Sequence, residues 1–455
     1  MTRSSYSQKV EDQFCEPKEW FQKLDDKLSR RKKPMRVLAI CYEDPADILG
    51  GMGRHVRELY RTLAARGVQV DLLTQGRPEG SEEYLGFTRH FDDKLVCAKP
   101  TKPDFACHLL ADIQMAKTLT RLIAEKGARH WDVIHQHEWT SVQLARMARD
   151  ALNIPVVGTM HLCISRLAML EDPTTNPADW GEADRYMFQQ EGNLICDPDE
   201  LILCSQAYVD MARSHFMAKR QINMIPNGID LEKWNPAAGD GGRARFDHGL
   251  DFASGVPMTP RPMALYVGRI ALMKGIEYLL DALEACDPGW QVVLAGEVNA
   301  NDEESKEDWV VTKRIRALEK AHPERLRWVG FQRGQALRDL YAGAGCVVMP
   351  STHEPFGIVA LEAMAMGAPL IATEVDGLGE IVMDDHQEYA MIIPSRNPDA
   401  ILAALRELHR SEIREELRYL GMRRARNYSW EAVADATTEV YGRAVGNRHR
   451  SLCSV

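Results

Sequence analysis

The stretch "MRVLAICYEDPADILGGMGRHVRELYRTLAARGVQVDLLT", Met35 to Thr74, decides the fold class. Its opening "MRVLAI" is a short apolar run suited to a strand buried on both faces. After a polar loop, Val56, Leu59, Tyr60 and Leu63 recur at helical spacing, and Gly67 stands where a helix C-terminal cap belongs. "VQVDLLT" (Val68 to Thr74) then reads as a second strand. Strand, helix and strand in succession predict an α/β fold built on a parallel sheet.

The alternation continues through "WDVIHQH" (131–137), "IPVVGTMH" (154–161) and "ELILCS" (200–205). It pauses between about Asn235 and Pro262, where Gly, Pro, Ala and Asp mark a linker or excursion. It restarts with "MALYVGRI", "WQVVLAGE", "LRWVGF", "AGCVVMPS" and "APLIAT". The pattern gives two doubly wound, Rossmann-like domains, residues 35–240 and 241–430, with an extension at 1–34 and a final segment at 431–455. Parallel sheets bind ligands beyond the carboxyl ends of their strands, so two facing units share one cleft.

Composition narrows the function. The 455 residues exceed what one hydrophobic core organises. With 45% apolar and 27% charged residues, the chain reads as an ordinary soluble globular protein. A net charge of −10 argues against a nucleic-acid partner. No apolar run approaches the roughly 18 residues of a spanning helix, and "MTRSSYSQKVEDQFCEPKEW" lacks the apolar core of a signal peptide. Ten cysteines lie scattered without a C-x-x-C pair, mostly in contexts such as "LAICY" and "AGCVVMP". They read as buried free thiols, and the expected location is the cytoplasm. The charged lead-in ending "KLSRRKKP" reads as a solvated appendage in preference to a membrane or nucleic-acid arm.

Four groups of residues carry chemistry. Gly50, Gly51 and Gly53 turn a strand into a helix, where backbone can approach an anion. A dinucleotide site would need a third glycine and an acid closing the second strand. Here His55 and Val56 follow, Asp71 lies inside its strand, and the strand ends in Thr74-Gln75. Arg269 and Lys274 follow the strand "MALYV" and together suit a diphosphate, though either alone reads as an exposed surface cation. In "PSTHEPFGIVALEAMAMGAPLIAT", Glu354 lies in a turn and Glu362 more than a turn inside the following helix. Gly357, Ile358 and Val359 open that helix with free amides. A carboxylate at Glu362 can accept hydrogen bonds from vicinal hydroxyls, as on a ribose. On residues alone, the two glutamates could equally be structural, one capping and one ion-paired, and the carboxylate inside the apolar helix demands a partner.

Together with "GGMGRHV" (50–56), "VIHQHEW" (133–139), "VGTMH" (157–161), "MIPNGID" (224–230) and "YSWEAVA" (428–434), these motifs resemble retaining GT-B glycosyltransferases of family 4 and the related bacterial and archaeal glycogen synthases. The resemblance covers roughly residues 35 to 445. It implies that Arg269 and Lys274 bind the donor's diphosphate and stabilise its departure. Glu354, beside the backbone of Phe356, Gly357 and Ile358, would contact the donor sugar, and Glu362 the ribose. Gly50 and Gly51 would bring backbone to the diphosphate or sugar. His161 matches the family's active-site histidine, near the sugar's C6 hydroxyl with its carbonyl by the anomeric carbon.

The same resemblance implies a nucleotide diphosphate sugar as co-substrate, UDP- or ADP-glucose, with no metal and no other cofactor. The reaction implied is hexosyl, and specifically glucosyl, transfer to an α-glucan or oligosaccharide. A small-molecule or lipid acceptor and an inactive partner subunit are the alternatives. Glu138 (where many glycogen synthases have aspartate), Trp139, Trp180 and Tyr186 are candidate acceptor contacts. Asn227 reads equally as a turn former or a ligand contact. Asp197-Pro198-Asp199 resembles the D-x-D of metal-dependent transferases but reads as a loop or helix start. Peripheral membrane contact and a homo-oligomer stay open. The final helix is expected to return to the first domain.

Overall fold

The computed structural model describes residues 34–47, 50–75, 80–91, 105–172, 174–253, 256–298 and 306–453. The extension read at 1–34 thus lies, but for Pro34, outside the described residues. The first sheet holds β1 (Arg36–Ile40), β2 (Gln69–Thr74), β3 (Gly80–Tyr84), β4 (Phe87–Phe91), β5 (Val133–His137), β6 (Val156–Met160), β7 (Glu200–Leu203) and β8 (Asn223–Met224). Their order is β3-β4-β2-β1-β5-β6-β7-β8. Every neighbouring pair is parallel except the β3–β4 hairpin. Central β1 is apolar and buried from Val37 to Ile40, as the reading of Met35–Ile40 requires.

The hairpin is an addition to the alternation. Its strand "GSEEY" is mostly exposed, and its partner "FTRHF" buries Arg89, which is 1% exposed and pairs with Asp44 at 2.5 Å. A buried arginine breaks the apolar run that signals a strand, which is why periodicity missed this edge.

The described residues of the interval from 235 to 262 fold against the second unit, the excursion of the two readings, linker or excursion. Asp240 caps the helix Gly241–Asp247, and its own amide donates to Asp339 at 2.9 Å. That helix lies against Gly334–Gly343 so closely that a Cβ on Gly241 would stand 2.5 Å from the Gly343 Cα. A small hairpin, β9 (Phe252–Ala253) and β10 (Val256–Pro257), follows.

The second sheet comprises β11 (Met263–Val267), β12 (Gln291–Ala295), β13 (Leu326–Gly330), β14 (Ala344–Met349), β15 (Leu370–Thr373) and, after the β16–β17 hairpin (Met383–Asp384 and Gln387–Glu388), β18 (Met391–Ile393). The order β13-β12-β11-β14-β15-β18 is parallel throughout. Strand order reverses beside β11 here and beside β1 in the first unit, the switch points at which such sheets open a crevice.

Two crossings join the units. The loop after β8 runs into the second unit, and the last helix, Trp430–Cys453, returns to pack Trp430, Val433, Val440 and Tyr441 into the core under β1. The crossings touch: the Ile229 amide donates to the Tyr428 carbonyl at 2.9 Å. Among the described cysteines Cys41, Cys163, Cys204 and Cys346 are buried free thiols, as expected for most; Cys196 is exposed and Cys286 half-buried. Among the described residues no helix is long and apolar enough to cross a membrane.

A Cβ on Gly228 would meet the Trp430 nitrogen at 2.6 Å, and backbone there cannot swing aside. Gly228→Ala is therefore expected to cost about 1–3 kcal/mol, the usual cost of overpacking, read as a lower denaturation midpoint.

Candidate active site

Two loops at the carboxyl edge of the second sheet are laced together. After β11, Tyr266 donates its hydroxyl to the Arg269 carbonyl at 2.7 Å. Four residues on, the Met273 carbonyl accepts from the Thr352 amide at 3.0 Å and the His353 amide at 3.3 Å. Gly275, at φ +67°, closes the turn with no room for a side chain, since a Cβ would fall 1.9 Å from the Pro350 carbonyl oxygen. The lacing sets Lys274 Nζ against Glu354 Oε2 at 2.6 Å. Arg269 has no carboxylate partner among the described residues; its guanidinium reaches the Met273 sulfur at 3.8 Å.

The helix Ile358–Ala365 starts at Gly357, whose φ of +102° favours glycine, and no side chain caps it. Its first amides are left for another acceptor. One turn further, Glu362 is 2% exposed. Its partners are Tyr341, whose hydroxyl donates to Oε2 at 3.0 Å, and Arg54, whose guanidinium bonds Oε1 from the first unit. The demand for a partner is thus met across the cleft. Beside this pair Gly51 faces Ile358, where a Cβ would lie 3.8 Å from Cδ1. A cavity of about 120 Å³ opens between Arg54, Glu362, Phe331, Arg333 and Trp430.

The first unit supplies the histidine. His161 follows β6 on a loop held by two buried carboxylates: Glu138 accepts from the Leu162 amide at 2.9 Å, and Glu191 from the Ile164 amide at 2.6 Å. Burial and the proximity of Glu191 raise the Glu138 carboxyl well above its usual range. Around His161 lie His55, with Nδ1 2.6 Å from the Asn227 carboxamide oxygen, and His137, with Nδ1 3.1 Å from His161 Nε2. Burial pushes His55 down to about 4 and His137 and His161 well below the ordinary imidazole value, so the cluster is neutral.

Of the residues read as site candidates, the structure brings Gly51, Arg269, Lys274, Glu354, Gly357, Ile358 and Glu362 to one cleft. Gly50 donates its amide to Glu43 at 2.9 Å, and Phe356 is buried. Glu138 and Trp139, read as candidate acceptor contacts, are buried, and Glu138 holds the His161 loop. Trp180 packs edge-on against Phe188 at 5.8 Å. Tyr186 is half-buried near Asp112 and Gln143. Asp197 caps the C-terminal end of the helix Glu182–Cys196 and pairs with Arg146, and Asp199 accepts from the Val156 amide at 2.8 Å. The two aspartates lie in the short loop between that helix and β7, the loop of the two readings, loop or helix start.

Sequence reasoning passed over Arg54, Tyr341 and the ring of hydroxyls and imidazoles around His161. One signal was available: His135 and His137 alternate on β5 and so share a face.

Two facing parallel sheets with a glycine turn opposite a helix start form the GT-B architecture of glycosyltransferases. The sucrose-phosphate synthase of Thermosynechococcus elongatus superposes with a TM-score of 0.73 at 24% identity, covering 91% of this chain and 100% of that one. The catalytic domain of starch synthase IV from Arabidopsis thaliana, solved with ADP and acarbose, gives 0.68 at 18% identity over 91% and 99% of the two chains. The family model Glycosyltransferase Family 4 matches residues 49–233, and Glycosyl transferases group 1 matches residues 250–424. The chain belongs to glycosyltransferase family 4 and is an enzyme that transfers a sugar. The glycogen synthase of Mycobacterium tuberculosis is 28% identical over 432 residues, 90% of this chain and 94% of that protein. The D-inositol 3-phosphate glycosyltransferase of Xylanimonas cellulosilytica is 28% identical over 412 residues, 88% and 93%.

In the unfolded chain these imidazoles take up a proton near pH 6.5; in the folded chain only near 4 or below. Their contribution to stability is therefore present above about pH 6.5 and lost as pH falls towards 4. By NMR, the rings of His55, His137 and His161 are expected to show no titration from about pH 8 to about pH 5.5, where an ordinary imidazole does.

Proposed function

We propose that the protein is a retaining hexosyltransferase that moves a glucosyl unit from UDP- or ADP-glucose to a hydroxyl of an α-glucan or oligosaccharide, without a metal. The observation that carries this reading is the arrangement of charges in one cleft: Arg269 without a carboxylate among the described residues, Lys274 on Glu354, and Glu362 on Arg54. A bound diphosphate draws Lys274 from Glu354 and takes Arg269 as its second cation. Glu354, released, accepts hydrogen bonds from sugar hydroxyls beside the free amides at Gly357 and Ile358. Glu362 holds the ribose. Fixed cations at the leaving group supply the charge stabilisation that other transferases draw from a metal.

In the reaction the bond from the anomeric carbon to the diphosphate oxygen breaks, and the acceptor oxygen bonds the same face of that carbon. The acceptor's proton passes to the departing phosphate. No other base is needed.

The starch synthase neighbour with ADP and the glycogen synthase relative support a glucan acceptor. A second reading, a small-molecule acceptor, draws support from the D-inositol 3-phosphate glycosyltransferase relatives at the same 28% identity. Incubation with UDP-, ADP- and GDP-glucose, each with a maltooligosaccharide or an inositol phosphate, separates the two by product. Nucleotide release with none of them would return the chain to the reading of an inactive partner subunit. Arg269→Ala and Lys274→Ala are each expected to lower kcat by about 10²–10³-fold. Glu362→Gln should raise KM for the donor and, by freeing Arg54, also lower the denaturation midpoint. Full turnover in both alanine variants would refute the assignment.

A further inference from the structure

A chain of buried side chains outside the donor contacts ends on His161. It begins on the last helix, where the Tyr441 hydroxyl lies 2.7 Å from His135 Nδ1. His135 Nε2 meets the Thr159 hydroxyl at 2.8 Å. The Tyr60 hydroxyl lies 3.1 Å from His135 Nδ1 and 2.6 Å from His137 Nε2. His137 Nδ1 then meets His161 Nε2 at 3.1 Å. Tyr60, His135, His137 and Tyr441 are fully buried.

Proton counting gives this chain a direction. Burial raises both phenols far above their ordinary range, so each keeps its proton and donates it. Tyr441 has His135 Nδ1 as its hydrogen-bond partner, and that nitrogen has one lone pair in the ring plane. With the lone pair occupied, Tyr60 turns its proton to His137 Nε2, the shorter of its two contacts. A neutral imidazole carries one proton. His137 therefore bears its own on Nδ1 and donates to His161 Nε2, which leaves the His161 proton on Nδ1. His161 is only partly buried, and Nδ1 is the ring nitrogen with no partner among the described residues.

We propose that Tyr60, His137 and Tyr441 are positioning residues that fix His161 in the Nδ1-protonated tautomer, so that it meets an oxygen of the bound sugar as a hydrogen-bond donor. The identity of the acceptor oxygen rests on the transferase reading; the tautomer does not.

Long-range proton–nitrogen correlation on protein labelled with ¹⁵N-histidine reads each tautomer without any turnover. In the wild type His161 is expected to be protonated on Nδ1. Tyr60→Phe removes the donor to His137 Nε2, so His137 and His161 both change tautomer. Loss of the aligned hydrogen bond then lowers kcat about tenfold with KM for the nucleotide sugar unchanged. Tyr441→Phe keeps the test open should Tyr60→Phe fail to fold: it frees His135 Nδ1 for the Tyr60 proton and gives a mixed His161 spectrum. A wild-type His161 protonated on Nε2, or an unchanged His161 in both folded variants, would overturn the proposal.

Correct tautomers with no sugar nucleotide consumed would leave the relay standing and remove the transferase reading alone.

Discussion

A carboxylate cannot be left bare inside an apolar helix, and in this protein the cation that satisfies it comes from the other half of the chain. Glu362 sits among Leu361, Ala363 and Met364, all buried, and bonds Arg54 and Tyr341. Removing one partner of such a buried pair costs several kcal/mol because the remaining charge is stranded. The two units are therefore held in the orientation that puts the glycine turn of the first against the helix start of the second. Other contacts reinforce it: Glu380 accepts from the Gln206 and Ala207 amides at 3.0 and 2.8 Å, and Arg166 reaches Asp376 at 2.6 Å.

Without a donor, two of the cleft's cations rest on its carboxylates. Lys274 rests on Glu354 and Arg54 engages Glu362, so a nucleotide sugar would exchange partners with groups that are already oriented. Little side-chain ordering remains to be done on binding, which is the usual benefit of a preorganised site.

What the sequence made legible follows from periodicity and punctuation. The buried parallel strands announce themselves as apolar runs, from "MRVLAI" to "APLIAT", and Gly67, read as a helix cap, stands at φ +84°. The hairpin edge stayed hidden because Arg89 and His90 occupy buried positions that a strand pattern assigns to apolar residues. The interval from 235 to 262 looked like a linker or excursion because its helix is short and glycine-led, and what folds it is contact with Gly343 and Asp339, distant in sequence. Lys274 and Glu354 were both singled out, but their pairing needs the lacing of two loops that no local pattern reports. Arg54, likewise, is an unremarkable helix cation until the second unit is placed against it.

The touching of the two crossings has a mechanical corollary. Gly228 and Ile229 run alongside Tyr428, Ser429 and Trp430, joined by a backbone hydrogen bond and a bridge between Ile229 and Ser429. Two ribbons fastened side by side act as one pivot, so relative motion of the units is a swing about that line and sliding is resisted. Gly228, Ile229 and Trp430 also line the cavity that contains Arg54 and Glu362. Glu362 consequently sits close to the axis, on a short lever arm, and keeps nearly the same surroundings through the swing. The larger excursions fall to groups set further from the pivot.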